Sequence, residues 1–446
     1  MSLLRLATLA ALTAAPAWAQ CPGGWAPGFG EPGFDQFISA MATLDDGSGP
    51  ALYVGGSFTR WGDEPVSKIA RREGGTWAPI GAGLGPGNGT VHGLIIHDDG
   101  RGAALFAGGD FSHAEGRLVN SIARWSGTRW EDLAGGVNGT VRNALLTYDD
   151  GTGPALYVGG NFTAAGGAQA LRLARWDGAG WSAVGGGVSG EKETIRALAI
   201  FDDGRGPAMY VAGSFASAGG VAASNVARWD GARWEALGEG VNDLVRGMIV
   251  FDDGSGPALY LTGHPTLAGG KPVNRIARWD GRQWSAVGDG FNDIGRRMVI
   301  HDDGAGPALL VVGNFTEADG RPAPHVARWD GSAWSGLGTG LDGNVFGVAS
   351  LADEAGPSLY VGGFFAQAGG YDSGMVARWM NRCAGDMNCD GRIDGFDLDP
   401  FTLAVSDPAA FAAQYPGCPR LRADVNGDDL VDERDIEPML KLLAPD

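Results

Sequence analysis

Oxygen-bearing side chains near the C-terminus recur at a spacing that suits a hard cation. Between Asp386 and Asp397, oxygen donors fall at loop positions 1, 3, 5, 9 and 12, and the residue at position 7 offers its backbone carbonyl. Gly391 stands at position 6, where the loop must turn sharply. Calcium takes about 6–8 oxygen ligands around one centre, so this loop is a candidate calcium site. Its candidate ligands are Asp386, Asn388, Asp390, Arg392, Asp394 and Asp397.

A second loop of the same kind begins at Asp424. Its position 6 is Asp429 instead of glycine, and because aspartate tolerates a left-handed backbone less well, we expect a weaker second site. Each loop runs into a short amphipathic segment that predicts a helix. One acidic loop is typical of a solvated surface, but two in register predict two calcium sites. The second set of candidate ligands is Asp424, Asn426, Asp428, Leu430, Asp432 and Asp435.

A different chemistry is indicated by one variable position in a repeat of about fifty residues. Four consecutive repeats carry arginine there, and guanidinium groups bind carboxylates and sulfates through bidentate hydrogen bonds. The functional hypothesis is an anion site for a uronate, a sulfated glycan or an acidic peptide. The candidate ligand-binding residues are His92, Arg142, Arg196, Arg246 and Arg296, with Ser39 and Phe346 at the same position of the remaining repeats.

The alternative for this arginine arc is local neutralisation by acidic residues in the adjacent loops. Glu239, Asp243, Asp289 and Asp293 lie on the connections that precede the arginines. Exposed charges of this kind interact weakly in solvent, and the sequence leaves both interpretations open.

Signals for catalysis are weaker. The six histidines are scattered and suggest no shared metal site or triad, and no nucleophile elbow or zinc signature appears. Asp-Asp-Gly recurs in six repeats, and because tight turns need these residue types, we interpret it as turn chemistry. Paired carboxylates for glycoside hydrolysis stay an open alternative, since the sequence does not determine the distances between them.

An internal repeat predicts the elements that position these residues. The tripeptide Ala-Arg-Trp recurs with a spacing of 50 to 53 residues between tryptophans, and each unit contains four short strand candidates separated by turn signals. Four strands in such a repeat predict one blade of a β-propeller. In the unit beginning at Thr194, the predicted strands A to D are 195–201, 208–213, 225–229 and 234–238.

The number of repeats predicts an all-β propeller with seven blades. Strand B occurs seven times, and strand D occurs seven times if the segment around Trp25 is counted. The last repeat stops after strand C at Trp379, whereas the chain begins with an unpaired strand D. We therefore expect the N-terminal strand to complete the last blade and leave no open sheet edge.

The first residues are typical of a secretory signal peptide. One arginine is followed by an apolar stretch, and Ala17-Trp18-Ala19 has the small-x-small form of a cleavage site. A lipid anchor on the next cysteine is an alternative that the preceding Gln20 disfavours. The predicted location is therefore secreted, either extracellular or in the cell envelope.

Export favours disulfides over free thiols for the four cysteines. Cys21 and Cys383 flank the two strands that meet at the seam of the ring, so we expect a bond between them. Cys389 and Cys418 then pair with each other and brace the small C-terminal domain.

Charge and hydropathy exclude two classes of partner. The net charge of −19 argues against nucleic acid, whose phosphates require a basic footprint. Beyond the signal peptide, no stretch is apolar enough to span a membrane. The predicted domains are a signal peptide (1–19), a seven-bladed β-propeller (20–383) and a small α-helical calcium-loop domain (384–446).

The repeats and the paired loops each resemble a known family. Tyr-Val-Gly-Gly at the end of strand B and tryptophan in strand D resemble kelch-type blades, and Leu156 to Thr163 is similar to repeats of fungal cortical polarity-marker proteins and of secreted bacterial propellers. The two loops with their helices resemble a type I dockerin, which implies a cohesin-like partner. Positions 10 and 11 are Gly395-Phe396 and Glu433-Arg434 instead of matched hydroxyl pairs, so an envelope protein is an alternative partner.

These observations predict a secreted, non-catalytic binding protein. The propeller would present a ligand-binding face, and the dockerin-like tail would act as a calcium-dependent docking module. The alternative is an extracellular carbohydrate-active enzyme, a polysaccharide hydrolase or lyase that carries a dockerin. A structural scaffold is a third interpretation, because a propeller fold does not by itself imply a function.

Overall fold

A computed structural model describes most of the chain. The described residues are 23–45, 50–73, 76–85, 89–190, 194–303, 306–353, 356–381, 385–388, 393–416, 418, 420–426 and 430–443. The predicted signal peptide (1–19) and three of the four cysteines, Cys21, Cys383 and Cys389, lie outside these ranges.

Within the described residues, seven antiparallel four-stranded sheets form the blades of a β-propeller. In blade order 1 to 7, strand A spans Ile38–Asp45, Val91–Asp98, Thr140–Asp149, Thr194–Asp202, Val245–Asp252, Gly295–Asp302 and Asn344–Asp353. Strand B spans Pro50–Gly56, Ala103–Gly109, Pro154–Asn161, Pro207–Ser214, Pro257–Gly263, Pro307–Gly313 and Gly356–Phe364. Strand C spans Ile69–Glu73, Ile122–Trp125, Leu173–Trp176, Val226–Trp229, Ile276–Trp279, Val326–Trp329 and Val376–Asn381. Strand D spans Thr76–Pro79, Trp130–Asp132, Trp181–Ala183, Trp234–Ala236, Trp284–Ala286, Trp334–Gly336 and Gly23–Trp25.

The expected closure of the ring by the N-terminal strand is confirmed. Gly23–Trp25 pairs antiparallel with Val376–Asn381, and Trp25 lies opposite Trp379. Each strand A also contacts strand A of both neighbouring blades, including blade 7 against blade 1. Strand A is therefore the innermost strand and lines the central channel.

Between strands B and C, each blade carries a small hairpin that was not predicted from the sequence. These pairs are Arg60–Trp61 with Glu64–Pro65, His113–Ala114 with Arg117–Leu118, Ala164–Ala165 with Ala168–Gln169, Ser217–Ala218 with Val221–Ala222, Leu267–Ala268 with Lys271–Pro272, Glu317–Ala318 with Arg321–Pro322, and Gln367–Ala368 with Tyr371–Asp372. Val188–Ser189 adds a third strand to the hairpin of blade 4.

The cores of the ring lie between consecutive blades. One cluster joins Tyr157 of blade 3 to Met209 and Trp234 of blade 4, and corresponding clusters follow around the ring. The strand D tryptophans add a directional bond between blades. Trp234 Nε1 donates to the carbonyl oxygen of Gly185 at 2.8 Å, and Trp25 Nε1 donates to that of Leu337 at 3.2 Å. The boundary between blades 6 and 7 therefore uses the same bond as the interior blades, whereas Trp77 Nε1 of blade 1 has no hydrogen-bond partner among the described residues.

The C-terminal region is small and helical. It contains α1 (Leu398–Ser406), α2 (Pro408–Gln414) and α3 (Ile436–Leu443), with short 3-10 turns at Gly395–Asp397, Arg420–Ala423 and Glu433–Asp435. The helices predicted after the two loops correspond to α1 and α3, whereas α2 was not predicted. Arg378 Nη1 of blade 7 lies 3.9 Å from Asp424 Oδ2, and both side chains are buried, so this region contacts the propeller. Within the described ranges, no helix is long and apolar enough to cross a membrane.

Candidate functional site

A β-bulge near the start of strand A sets the position of the candidate ligand-binding residues. In every blade, the register of strands A and B shifts at this point. In blade 4 the shift lies between Ile195 and Ala197, so that Arg196 is the extra residue. A bulge re-aims the side chain it carries, and here the repeated bulge turns the variable residue of each blade into the channel mouth, together with Asn143 in blade 3.

The structure brings all seven of these residues together around one cavity of 410 Å³. Arginines from blades 3 to 6 line one side, and residues of blades 7, 1 and 2 line the other. The cavity is lined by Phe37, Ser39, His92, Arg142, Asn143, Arg196, Arg246, Arg296, Arg297, Phe346 and Phe364. Four of these residues, Phe37, Asn143, Arg297 and Phe364, were not among the sequence candidates.

In blades 5 and 6, the residue just after strand B gives the arginine a partner within its own blade, whereas the Nε of Arg142 in blade 3 has no such partner among the described residues. In blade 5, Arg246 Nε donates to His264 Nε2 at 3.0 Å, and in blade 6, Arg296 Nε donates to Asn314 Oδ1 at 2.6 Å. Arg142 Nη1 lies 3.2 Å from Nε2 of His92, the residue of the neighbouring blade. These contacts orient three guanidinium groups towards the cavity without neutralising them.

Arg196 is the exception. Its blade carries Ser214 at the end of strand B, and the buried Nε of Arg196 has no hydrogen-bond partner. No described residue forms an ion pair with it. Burial and the guanidinium groups of Arg142, Arg246 and Arg296 lower its pKa to about 10. At neutral pH the side chain is therefore charged, although its surroundings disfavour the charge.

Asp243 and Asp293, two of the acidic residues considered as neutralising partners, offset the positive charge of the arginines only in part. Burial lowers the pKa of Arg246 and Arg296, the guanidinium groups around them lower it further, and Asp243 and Asp293 oppose this effect. Neither carboxylate lies within ion-pair distance of an arginine of the cavity. Among the described lining residues there is no aspartate or glutamate, so the cavity has a net positive lining.

A polar bar crosses the channel beneath the cavity. Arg297 Nη1 of blade 6 donates to the carbonyl oxygen of Arg246 at 2.9 Å. The amide of Asn143, in blade 3, is oriented so that both of its polar atoms are bonded. Its oxygen accepts from Arg297 Nε at 3.1 Å, and its nitrogen donates to the carbonyl oxygen of His92 at 3.3 Å. A sequence signal for this bar exists, because the other blades carry only glycine or alanine directly after the variable position.

The regularly repeated charged residues have structural roles. Asp202 Oδ1 accepts hydrogen bonds from the backbone of Gly204 and Gly206, at 2.8 and 3.0 Å, which closes the turn between strands A and B. Asp203 accepts from the Tyr210 hydroxyl at 2.9 Å and pairs with Arg228 of strand C at 3.6 Å. These contacts lie on the face of the ring opposite the cavity and support the interpretation as turn chemistry.

The two C-terminal loops fold in the same way. Asp397 accepts hydrogen bonds from the backbone of Met387 at 2.7 Å, Asn388 at 3.1 Å and Asp394 at 2.9 Å. Asp435 accepts the equivalent bonds from Val425 at 2.8 Å, Asn426 at 3.1 Å and Asp432 at 3.0 Å. The side chain at position 12 of each loop is therefore hydrogen-bonded to the backbone of positions 2, 3 and 9, which holds the two ends of the loop together.

The first residue of each loop is buried beside an arginine. Asp386 Oδ2 accepts from Arg422 Nη1 at 2.8 Å, and Asp424 lies near Arg378. Buried Asp397, by contrast, makes no ion pair with a described residue. The donor set of carboxylate and amide oxygens fits a hard cation in its chemistry.

Three candidate ligands, Asp390, Arg392 and Asp428, lie outside the described residues. In the part of the chain that the structure describes, no three His, Cys, Asp or Glu side chains come together as a metal site. Cys418 forms a disulfide, whereas the other cysteines fall outside the described ranges, so the proposed pairings stay predictions.

Comparison with known proteins gives a fold likeness only. No protein-family model matches the chain, and no curated protein matches it. Among solved structures, the chain is similar to the GH74 xyloglucanase from Xanthomonas campestris, with 14% sequence identity and a TM-score of 0.41. The match covers 78% of this chain, and the chain spans 43% of the length of that structure.

Proposed function

We propose that this chain is a secreted binding protein whose channel mouth holds an anionic ligand. The observation that carries the proposal is Arg196, which is charged, partly buried and without a counter-ion among the described residues. Folding it into this position costs free energy, because burial removes the charge from water and three other guanidinium groups repel it. A carboxylate or sulfate in the cavity would supply the missing partner.

The geometry suits recognition of a multidentate anion. Arg142, Arg246 and Arg296 are oriented by histidine or asparagine side chains and not by carboxylates, so their remaining N–H groups are available for a ligand. A planar guanidinium binds carboxylate or sulfate through two parallel hydrogen bonds, and a charge-assisted bond contributes ~1.5–3 kcal/mol. A cavity of 410 Å³ falls in the ~300–1,000 Å³ range of small-molecule sites.

The C-terminal region is proposed to bind two calcium ions and to dock the propeller to a partner. In the first loop, Asp386, Asn388, Asp394 and Asp397 would hold the ion together with Asp390 and Arg392. A bound cation would offset the burial of the carboxylate of Asp397. The partner is a cohesin-like or envelope protein, following the likeness to type I dockerins. Kelch-type blades are likewise proposed only from sequence resemblance.

The alternative of a carbohydrate-active enzyme stays a second proposal. As a hydrolase it requires opposed carboxylates beside the bound sugar, with a separation of ~5–10 Å. The lining that the structure describes is cationic and aromatic, which favours binding over hydrolysis at this cavity. The test must therefore measure both binding and product release.

An array of uronate-containing, sulfated and neutral polysaccharides would test the proposal. The mature chain would be applied with calcium and with a chelator, and the solution would be assayed for released oligosaccharides. We expect retention on acidic polysaccharides and a loss of affinity of about tenfold or more in the Arg196→Ala/Arg246→Ala double variant. The matched control is Arg233→Ala/Arg282→Ala, which removes the same charge from exposed turns on the opposite face.

The outcomes separate the hypotheses. If both double variants were retained equally, the interaction would depend on the overall charge of the protein, and the proposed anion site would be wrong. Released oligosaccharides would move the chain to the enzyme class. Retention that depends on calcium but not on Arg196 would place the glycan contact in the C-terminal region instead.

A further inference from the structure

The cavity at the channel mouth has two chemically different sides. Blades 3 to 6 present guanidinium groups, whereas Phe37, Phe346 and Phe364 lie together on blades 7 and 1. Phe37 and Phe346 pack edge to face with ring centroids 5.6 Å apart. The side chain of Phe364 is 58% exposed. An exposed aromatic ring beside a cationic arc suits a ligand that has both an acid group and an apolar face.

The cavity is closed from below. The bar of Arg297 and Asn143 joins blade 6 to blade 3 across the channel. These two residues and Ser39 also line a second cavity of 220 Å³ deeper in the channel, whose remaining walls include Met41 and Leu145. The bar therefore separates the two spaces, and a ligand that enters the mouth meets a polar floor.

Small polar groups lie between the two sides at blades 1 and 2, whereas at blades 6 and 7 the guanidinium group of Arg296 lies directly over the Phe346 ring, 4.5 Å from its centroid. Ser39 Oγ donates to the carbonyl oxygen of Val91 and keeps its acceptor capacity for a hydroxyl group. His92 lies 3.2 Å from Arg142 Nη1 and 3.6 Å from Asp110 Oδ2. A ligand with one acid group, several hydroxyl groups and an apolar ring face matches this order of charged, polar and aromatic groups.

We propose that the cavity recognises the terminal uronate of an acidic oligosaccharide, which enters end-on. The carboxylate binds Arg196 and Arg246, the ring lies against the phenylalanine side, and the bar stops the chain from passing further. This inference rests on the proposed anion-binding function and adds to it the ligand class and the mode of binding.

Galacturonate oligomers of increasing length provide the first test. End-on binding predicts one protein molecule per chain whatever the length, measured by titration calorimetry and analytical ultracentrifugation. Reducing only the terminal carboxyl group to an alcohol should weaken binding by about tenfold or more, because charge-assisted hydrogen bonds are lost. Free galacturonate should compete for the site, since the terminal unit makes the decisive contacts.

The aromatic side is tested by Phe364→Ala. We expect this variant to bind galacturonate several-fold more weakly and to bind inorganic sulfate as well as the wild-type chain does. The control is Leu118→Ala, which removes another apolar side chain with 58% exposure outside the cavity. Thermal unfolding of both variants verifies that they fold.

Each failure has a distinct meaning. If the number of protein molecules bound per oligomer increased with oligomer length, end-on recognition would be wrong, but the proposed anion site would be unaffected. Binding of sulfated glycans alone, or an equal effect of Phe364→Ala on sulfate and galacturonate, would overturn the uronate class. If no anion binds, or if Arg196→Ala/Arg246→Ala binds like the wild type, the proposed function itself fails.

Discussion

Replacing Arg196 by methionine should stabilise the folded chain while it removes ligand binding. Burial and the neighbouring guanidinium groups lower the pKa of Arg196 from its ordinary value to about 10. At ~1.4 kcal/mol per pKa unit, this difference corresponds to ~3 kcal/mol against the charged form in the folded state. The side chain is partly exposed, so solvent screening reduces the figure to ~1–2 kcal/mol. Methionine is flexible and uncharged, and it fills the space without this penalty.

Differential scanning calorimetry at low ionic strength measures the effect. The Tm of Arg196→Met should rise by about 1–2 °C. Added sulfate should raise the Tm of the wild-type chain further than that of the variant, because only the wild-type site gains from binding the anion. Arg233→Met, on an exposed turn, is the matched control and should change neither quantity. A lower Tm for Arg196→Met with an unchanged response to sulfate would refute the reasoning.

Two further predictions concern the ring and the C-terminal loops. Burial lowers the pKa of His97 and His301 below 6.5, so the folded state binds fewer protons than the unfolded state. Stability is then fully present above pH ~6.5 and is lost as pH falls through the lowered pKa values. The His97→Phe/His301→Phe variant copies Phe201 and Phe251 of other blades. It should have a weaker dependence in unfolding measured from pH ~7 to ~5, with the remainder coming from His264 and His325, whose pKa values burial also lowers; an unchanged profile would contradict the assignment. Isothermal titration of the whole chain should give two bound calcium ions and one in Asn426→Ala, and two in the variant would exclude the second loop as a site.

The repeat made the propeller predictable from the sequence. Tryptophan recurs at a fixed spacing because strand D of blades 2 to 7 bonds to the preceding blade through the indole N–H, whereas Trp77 of blade 1 packs in the core without this bond. The unpaired Trp25 segment predicted closure because a sheet edge without a partner is unfavourable. The small hairpins between strands B and C escaped prediction because each of their strands is only two residues long.

The variable position and its place at the rim of the channel were also predictable, but the bulge that carries it was not. The position stands out because the residues around it repeat in every blade, whereas the residue at the position itself differs between blades. The bulge that turns Arg196 into the channel depends on pairing with strand B, and a one-residue shift in register reverses the direction of a side chain.

The sequence by itself determined the seven repeats, the closure of the ring by its N-terminal strand and the residue types that face the channel. Only the tertiary structure decided which of those charges have partners. His264 and Asn314 orient their arginines from the end of strand B or just beyond it, whereas Ser214 leaves Arg196 without a bond. The Arg297–Asn143 bar likewise joins blades that are distant in the chain. Such contacts depend on the geometry of the closed ring, because each partner belongs to another strand or another blade.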